Sequence, residues 1–176
     1  MAGKKSKPRS AASSHAAHKE SKPTYVAALE AAYGAPSQAG FGSVVFYGDM
    51  DPGEDLEQGA LEYYQYFVGE LWERWGEEAW MGPWKEVYAR TAGSTPDIVA
   101  ELNGIADADA KLSVPMILDV AQNAEAARQA LAAAYDDPAV SELRVFNLGD
   151  GGAMSGLLVA GRRESGKALY LVFLLD

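Results

Sequence analysis

From Ala168 to Leu175 both sets of alternating residues are apolar: Ala168, Tyr170, Val172 and Leu174 in one, Leu169, Leu171, Phe173 and Leu175 in the other. A strand polar on neither face is usually covered on both. A chain containing this segment therefore places it centrally in a sheet, beneath at least one layer of helix. Upstream, Leu143 to Leu148 alternates in strand fashion and Gly149-Asp150-Gly151-Gly152 interrupts it. Glycine and aspartate tolerate the backbone angles of tight turns. A second apolar run, Met154 to Gly161, leads to the polar connection Arg162 to Lys167. Leu143 to Asp176 thus reads as three consecutive strands. Each large side chain buried there contributes about 1.5–3 kcal/mol. Loss of the last six residues is then expected to exceed the ~5–15 kcal/mol stability of an ordinary domain, and the C-terminus is not expected to be a tail.

Helices are expected before this sheet. Val26, Leu29 and Tyr33 share one face of a short helix over Tyr25 to Tyr33, closed by Gly34 and Pro36. Ser43 to Tyr47 is a strand candidate. Pro52 to Ala79 reads as one long helix, with Leu56, Ala60, Tyr63, Tyr64, Phe67, Val68, Leu71 and Trp75 in a broad stripe. Pro83 is expected to force a turn over Trp80 to Trp84. Lys85 to Thr91 reads as a short strand or a helical turn. A short helix is expected from Ser94 to about Leu102, and a solvated loop around Asp107 and Asp109. Leu112 to Val120, interrupted by Pro115, reads as an edge strand or a helix start. Asn123 to Tyr135 is an alanine-rich helix. The expected class is α+β: a mostly antiparallel sheet with a C-terminal three-stranded meander, packed by the long aromatic-rich helix and the alanine-rich helix.

Charge divides the chain. Residues 1–23 hold Lys4, Lys5, Lys7, Arg9, Lys19 and Lys22 against Glu20; the remainder holds nine basic and 24 acidic residues, or −15. Residues 1–22 are poor in apolar side chains and read as a disordered basic tail, with 23–176 as a single globular domain. The tail reads as a solubilising segment, or as a basic arm for nucleic acid through residues 4–22. The acidic body disfavours nucleic acid and steers toward basic partners.

The residue types present exclude much chemistry. Cysteine is absent, and the two histidines, His15 and His18, lie in the tail. Thiol catalysis, thiolate metal sites, disulfides and a histidine general base within the body are excluded. No cofactor is expected. No apolar run nears the ~20 residues of a membrane span. The basic start lacks a following apolar region, so no export signal is expected and the location reads as cytoplasmic.

Gly48 to Glu57 is the most acidic stretch, with Asp49, Asp51, Glu54, Asp55 and Glu57. Read as a calcium loop from Asp49, it has Glu54 where glycine belongs and Ala60 where glutamate belongs. A helix cap fits better, with Asp51 as N-cap, Pro52 at the first helical position and Glu54 three residues after the cap. Asp49, Asp51 and Asp55 remain the alternative, as a weak divalent-cation site of a carboxylate-based enzyme or small-ligand binder. Gly152-Ala153-Met154-Ser155-Gly156 lacks the spacing and the partner of a hydrolase elbow. Gly149 to Gly152 feeds a strand, so it reads as a turn and not a phosphate loop. Arg162 and Arg163 form the basic pair of the body and are a weak anion-binding candidate against a solvated hairpin tip.

Tyr63, Tyr64, Tyr66, Phe67, Trp72, Trp75, Trp80 and Trp84 make the long helix the aromatic centre. Most such rings serve a core. Trp72 and Trp80 are surplus to one helical face, and a surplus aromatic at a surface is a binding anchor. The function expected is non-catalytic: an acidic, aromatic-bearing surface holding a basic or peptide-like protein partner, as an inhibitor, immunity protein or adaptor does. Its expected residues are Trp72, Trp80, Trp84, Glu70, Glu73 and Glu77. The oligomeric state is not legible in the sequence.

Overall fold

The structure is a computed structural model that describes residues 22–120 and 122–175. The expected tail lies outside the described residues except for Lys22, whose ammonium pairs with Glu30 at 2.8 Å.

The fold is α+β. In chain order the described elements are α1 (Thr24–Tyr33), β1 (Gly42–Asp49), α2 (Leu56–Val68), α3 (Glu70–Trp75), α4 (Glu77–Met81), β2 (Lys85–Ala89), α5 (Ile98–Asn103), α6 (Ala108–Leu118), α7 (Ala124–Tyr135), β3 (Val140–Gly149), β4 (Ser155–Arg163) and β5 (Lys167–Leu175). The strands form one antiparallel sheet in the order β1-β5-β4-β3-β2. β4 is the middle strand, and the doubly apolar β5 lies between it and β1.

Alternation along the strands divides the core into two layers. Leu169, Leu171 and Phe173 of β5 join Leu157 and Val159 of β4 and Leu143 and Val145 of β3 beneath α1, α5, α6 and α7. Tyr170, Val172 and Leu174 join Leu158, Ala160, Phe146 and Leu148 beneath α2 and the indole of Trp80. The period-2 side-chain geometry of a strand makes one sheet serve two cores. Two buried tyrosines tie the first layer down. Tyr33 Oη donates to the Ile117 carbonyl at 2.7 Å, and Tyr135 Oη donates to the Val159 carbonyl at 3.1 Å.

Several expected boundaries shift. The long helix is three. Gly69 takes φ 63° and ψ −131°, Gly76 takes φ 86° and ψ 146°, and neither conformation continues a helix. L-residues rarely enter these regions, so glycine at both positions permits two sharp changes of direction. The helix also starts later than expected. Asp51 and Glu54 do pair, with the Asp51 N–H donating to the Glu54 carboxylate at 2.9 Å, but they close a turn. Asp55 is the N-cap, accepting from the Glu57 N–H.

Trp80 and Met81 end α4, so the expected turn begins only at Gly82. Gly82 keeps helical angles, φ −56° and ψ −51°, despite the proline that follows. Proline disfavours that region largely through the preceding Cβ, which glycine lacks. Lys85 to Ala89 is strand. Leu112 to Leu118 is helix, with Pro115 inside α6 and facing out. The expected loop at Asp107 is the start of that helix. Asp107 Oδ1 accepts from the N–H groups of Asp109 and Ala110, and its other oxygen pairs with Lys85 at 2.7 Å. The Ala110 bond is the chief cause that holds the Asp107 carboxyl below its ordinary value.

Candidate functional site

The segment from Gly69 to Met81 carries the features expected of a binding surface, arranged differently from the expectation. The Gly76 break folds α4 back onto α3, and the Trp80 indole N–H donates to the Leu71 carbonyl at 3.1 Å. Trp80 is fully buried. It is therefore a core residue, and its expected role as a surface anchor does not stand. Burial follows from the break: an uninterrupted helix would have carried Trp80 onward and outward.

The buried indole instead supports two others. The ring of Trp72 runs parallel to it at 6.0 Å and that of Trp75 at 5.0 Å. Trp72 is half-buried and also meets Tyr64 edge-on at 5.6 Å. Trp75, read from the sequence as part of the core stripe, is 43% exposed. In the same segment Glu70, Glu73, Glu77 and Glu78 are all exposed. Among the described residues, none of their carboxylates takes an ion pair or hydrogen bond. Trp84 stands apart from this surface. Its ring stacks on Phe146 at 4.8 Å and on Tyr64 at 5.6 Å, and its N–H donates to Glu57 at 3.0 Å. It is half-buried and fastens α2 to the sheet.

Beside α3 lies a groove of about 290 Å³ between Gln38–Gly40 and the Val68–Leu71 corner, with Arg74 at its rim. The Gly40 N–H donates to the Phe67 carbonyl at 2.9 Å, which holds this loop against the end of α2. Phe41 and Tyr66 are both more than half exposed. Tyr66 lies edge-on to Phe46 at 5.8 Å.

The alternative sites fare differently. Asp49 pairs with Lys167 at 2.5 Å, and Asp55 caps α2 and meets Arg144 at 3.1 Å. Asp51 belongs to the turn before the helix. The three carboxylates do not converge, and no cluster of three or more metal-ligating side chains occurs among the described residues. The geometry thus gives no support to a cation held between them.

The two arginines point to opposite faces. Arg162 donates to the carbonyls of Asp51 and Glu54 at 3.0 and 2.9 Å. Arg163 donates to Asp137 and to the Ala134 carbonyl, both at 3.1 Å, and lies over the Tyr25 ring. Adjacent strand residues cannot grip one anion together. They are internal braces, and the hairpin tip begins only after them.

Two polar hubs were not expected. Arg144 meets Asp55, Glu57 and Glu86 within 3.2 Å and lies over the Phe146 ring. Arg90, with only 7% of its side chain exposed, donates twice to Glu101 and once to the Tyr135 carbonyl at 2.8 Å. Tyr88 Oη donates to the same carboxylate at 2.6 Å. Burial pushes Glu101 up, but the Arg90 and Tyr88 hydrogen bonds outweigh it and leave the carboxyl below its ordinary value. Burial raises the neighbouring Asp136. The donors that meet these two carboxylates all come from the protein itself: Arg90 and Tyr88 to Glu101, and the Ile98 N–H to Asp136.

Among the described residues no helix is long and apolar enough to cross a membrane. Comparison of the chain with known protein families, curated proteins and solved structures finds no match.

Proposed function

We propose that the chain is a non-catalytic binding protein whose α3–α4 surface holds a basic, peptide-like segment of a protein partner. The observation that carries this reading is the exposed Trp75 ring, stacked on the buried Trp80, in a segment whose four exposed carboxylates take no ion pair among the described residues. A ring held by a buried neighbour loses little freedom on binding, so its contact area converts to affinity at low entropic cost. Lysine and arginine side chains match both parts: the carboxylates by charge, the indole face by cation–π attraction. The −15 body draws such a segment in from solution. Trp72 supplies the half-buried floor of the surface, and Glu70, Glu73 and Glu77 supply its charge together with Glu78.

The test is affinity purification from native extract with the full chain and with a variant carrying Trp75→Ala, Glu73→Gln and Glu77→Gln. One stoichiometric basic protein, retained by the first and lost by the second, is expected. Equal retention by both, or no basic protein on either, refutes the reading.

A further inference from the structure

The helical layer on the other side of the sheet carries an apolar face of its own. Among the described residues the exposed large hydrophobics are Phe41, Tyr66 and Trp75, placed above, and Leu112 and Met116 of α6, at 74% and 48% exposure. Ala110, Val114, Ile117 and Leu118 hold α6 on the core. The opposite face presents two rows of exposed residues at four-residue spacing: Lys111, Pro115 and Asp119 in one, Leu112 and Met116 in the other. We propose that this face joins two copies of the chain, the two α6 helices packing antiparallel across a two-fold axis near Pro115.

The charges along the face suit that occupant. Lys111 lies four residues before Pro115 and Asp119 four residues after it. An antiparallel two-fold pair brings each Lys111 to the partner's Asp119 and sets Leu112 of one copy against Met116 of the other. A parallel pair would oppose like charges. Among the described residues Lys111 takes no ion pair. Arg128 meets Asp119, but that carboxylate stays 60% exposed and can accept a second donor. The two acids at the start of the helix, Asp107 and Asp109, lie 2.7 and 3.8 Å from Lys85.

Repulsion also directs self-association here. The chain carries −10 overall. On α6 and the cations that meet it, Lys85, Lys111 and Arg128 balance Asp107, Asp109 and Asp119. On α3–α4, Arg74 stands against four glutamates. Two acidic copies meet at least cost where local charge cancels. Pro115, at the axis, has no side-chain rotamers to lose when covered. A helix of eleven residues is about 16 Å long and about 10 Å across, so the pair buries less than the roughly 1,200 Å² of a stable interface and forms a reversible dimer, with Kd on the order of 0.1 mM. Because α6 and α3–α4 cover opposite faces of the sheet, pairing leaves the α3–α4 surface of each copy open. The pairing does not depend on the binding reading above.

Sedimentation equilibrium of the full chain between about 10 µM and about 1 mM, in about 150 mM salt, tests this. The parent is expected to pass from monomer to dimer across that range. Leu112→Glu changes an exposed position, so it should keep the parent's thermal unfolding midpoint at the lowest concentration while weakening association at least about 10-fold. No dimer in the parent at the highest concentration, or association unchanged in Leu112→Glu, overturns the proposal. The orientation is read separately. Lys111→Glu and Asp119→Lys should each weaken association about 3- to 10-fold on their own. An equimolar mixture of the two should recover the parent's affinity, because the mixed pair opposes unlike charges at both ends. A mixture that associates no better than either variant alone overturns the antiparallel arrangement.

Discussion

Arg162 and Arg163 are consecutive on β4, yet one guanidinium holds the turn before α2 and the other holds the end of α7. The central strand thus fastens both helical layers through two neighbouring side chains. Arg163→Ala removes two hydrogen bonds and the cation over Tyr25, and is expected to cost about 2 kcal/mol by denaturant unfolding. Arg163→Lys keeps the charge without the fork, and should recover less than half of that loss. Neither variant should alter affinity for free phosphate, measured by calorimetry.

Trp75 and Trp80 are expected to separate cleanly in experiment. Trp80→Ala empties a fully buried site and should cost about 3–5 kcal/mol. Trp75→Ala removes one stacking contact at the surface and should cost under about 1 kcal/mol. Thermal unfolding of the two variants checks this. Loss of partner binding in Trp75→Ala, with stability within about 1 kcal/mol of the parent, would locate the function on the exposed ring.

The Arg90–Glu101 pair should shape stability at acid pH. Glu101 has a lowered pKa in the folded chain, so its contribution is fully present above the ordinary value of about 4.5 and is lost as pH falls through the lower folded value. Asp136 runs the other way, because its raised pKa favours the protonated folded form as pH falls. The difference between the parent and Glu101→Gln isolates the first effect. At pH 7 the variant leaves Arg90 only the longer pair with Asp136 at 3.8 Å and the Tyr135 carbonyl, and should lose about 2–3 kcal/mol. The gap should narrow below pH 4.5, as followed by urea midpoints across pH.

Gly156 pairs with Leu174 of β5 and Leu148 of β3 in the middle of the sheet. A Cβ built there falls inside the van der Waals shell of the Phe173 carbonyl oxygen. Backbone cannot step aside as a flexible side chain can. Gly156→Ala should therefore cost about 3 kcal/mol, read from the denaturant midpoint.

The interior strands were legible because their signal is local, whereas Lys85–Thr91 read equally as strand or helical turn and only the pairing with β3 decides it. Apolar residues on both faces of Ala168–Leu175 suffice to mark an interior strand, and Val26, Leu29 and Tyr33 mark their helix within two turns. Composition alone does not mark the breaks at Gly69 and Gly76. A glycine within a helical pattern is tolerated as often as it ends one, and what decided here was the burial gained when Trp80 folded back. Pro115 misled for a related reason: the strong Asp107 cap and the buried Val114, Ile117 and Leu118 outweigh one missing N–H. The cationic hubs leave no trace in local sequence, since Arg144 meets Glu57 across 87 positions and Arg162 meets Asp51 across 111. For the candidate surface, the segment and its acids were legible, while the choice between Trp75 and Trp80 depended on tertiary packing.

The strand order sets a timetable for assembly. β1 and β2 form the two rims, and each waits for a later-made strand: Asp49 meets Lys167, and Lys85 meets Asn147. A chain emerging from the ribosome therefore holds both rims unpaired until the middle strands follow, roughly a hundred and twenty residues after β1 is made. Folding of this sheet waits for β5, and nascent chains released before β5 should be conspicuous substrates for chaperones and proteases.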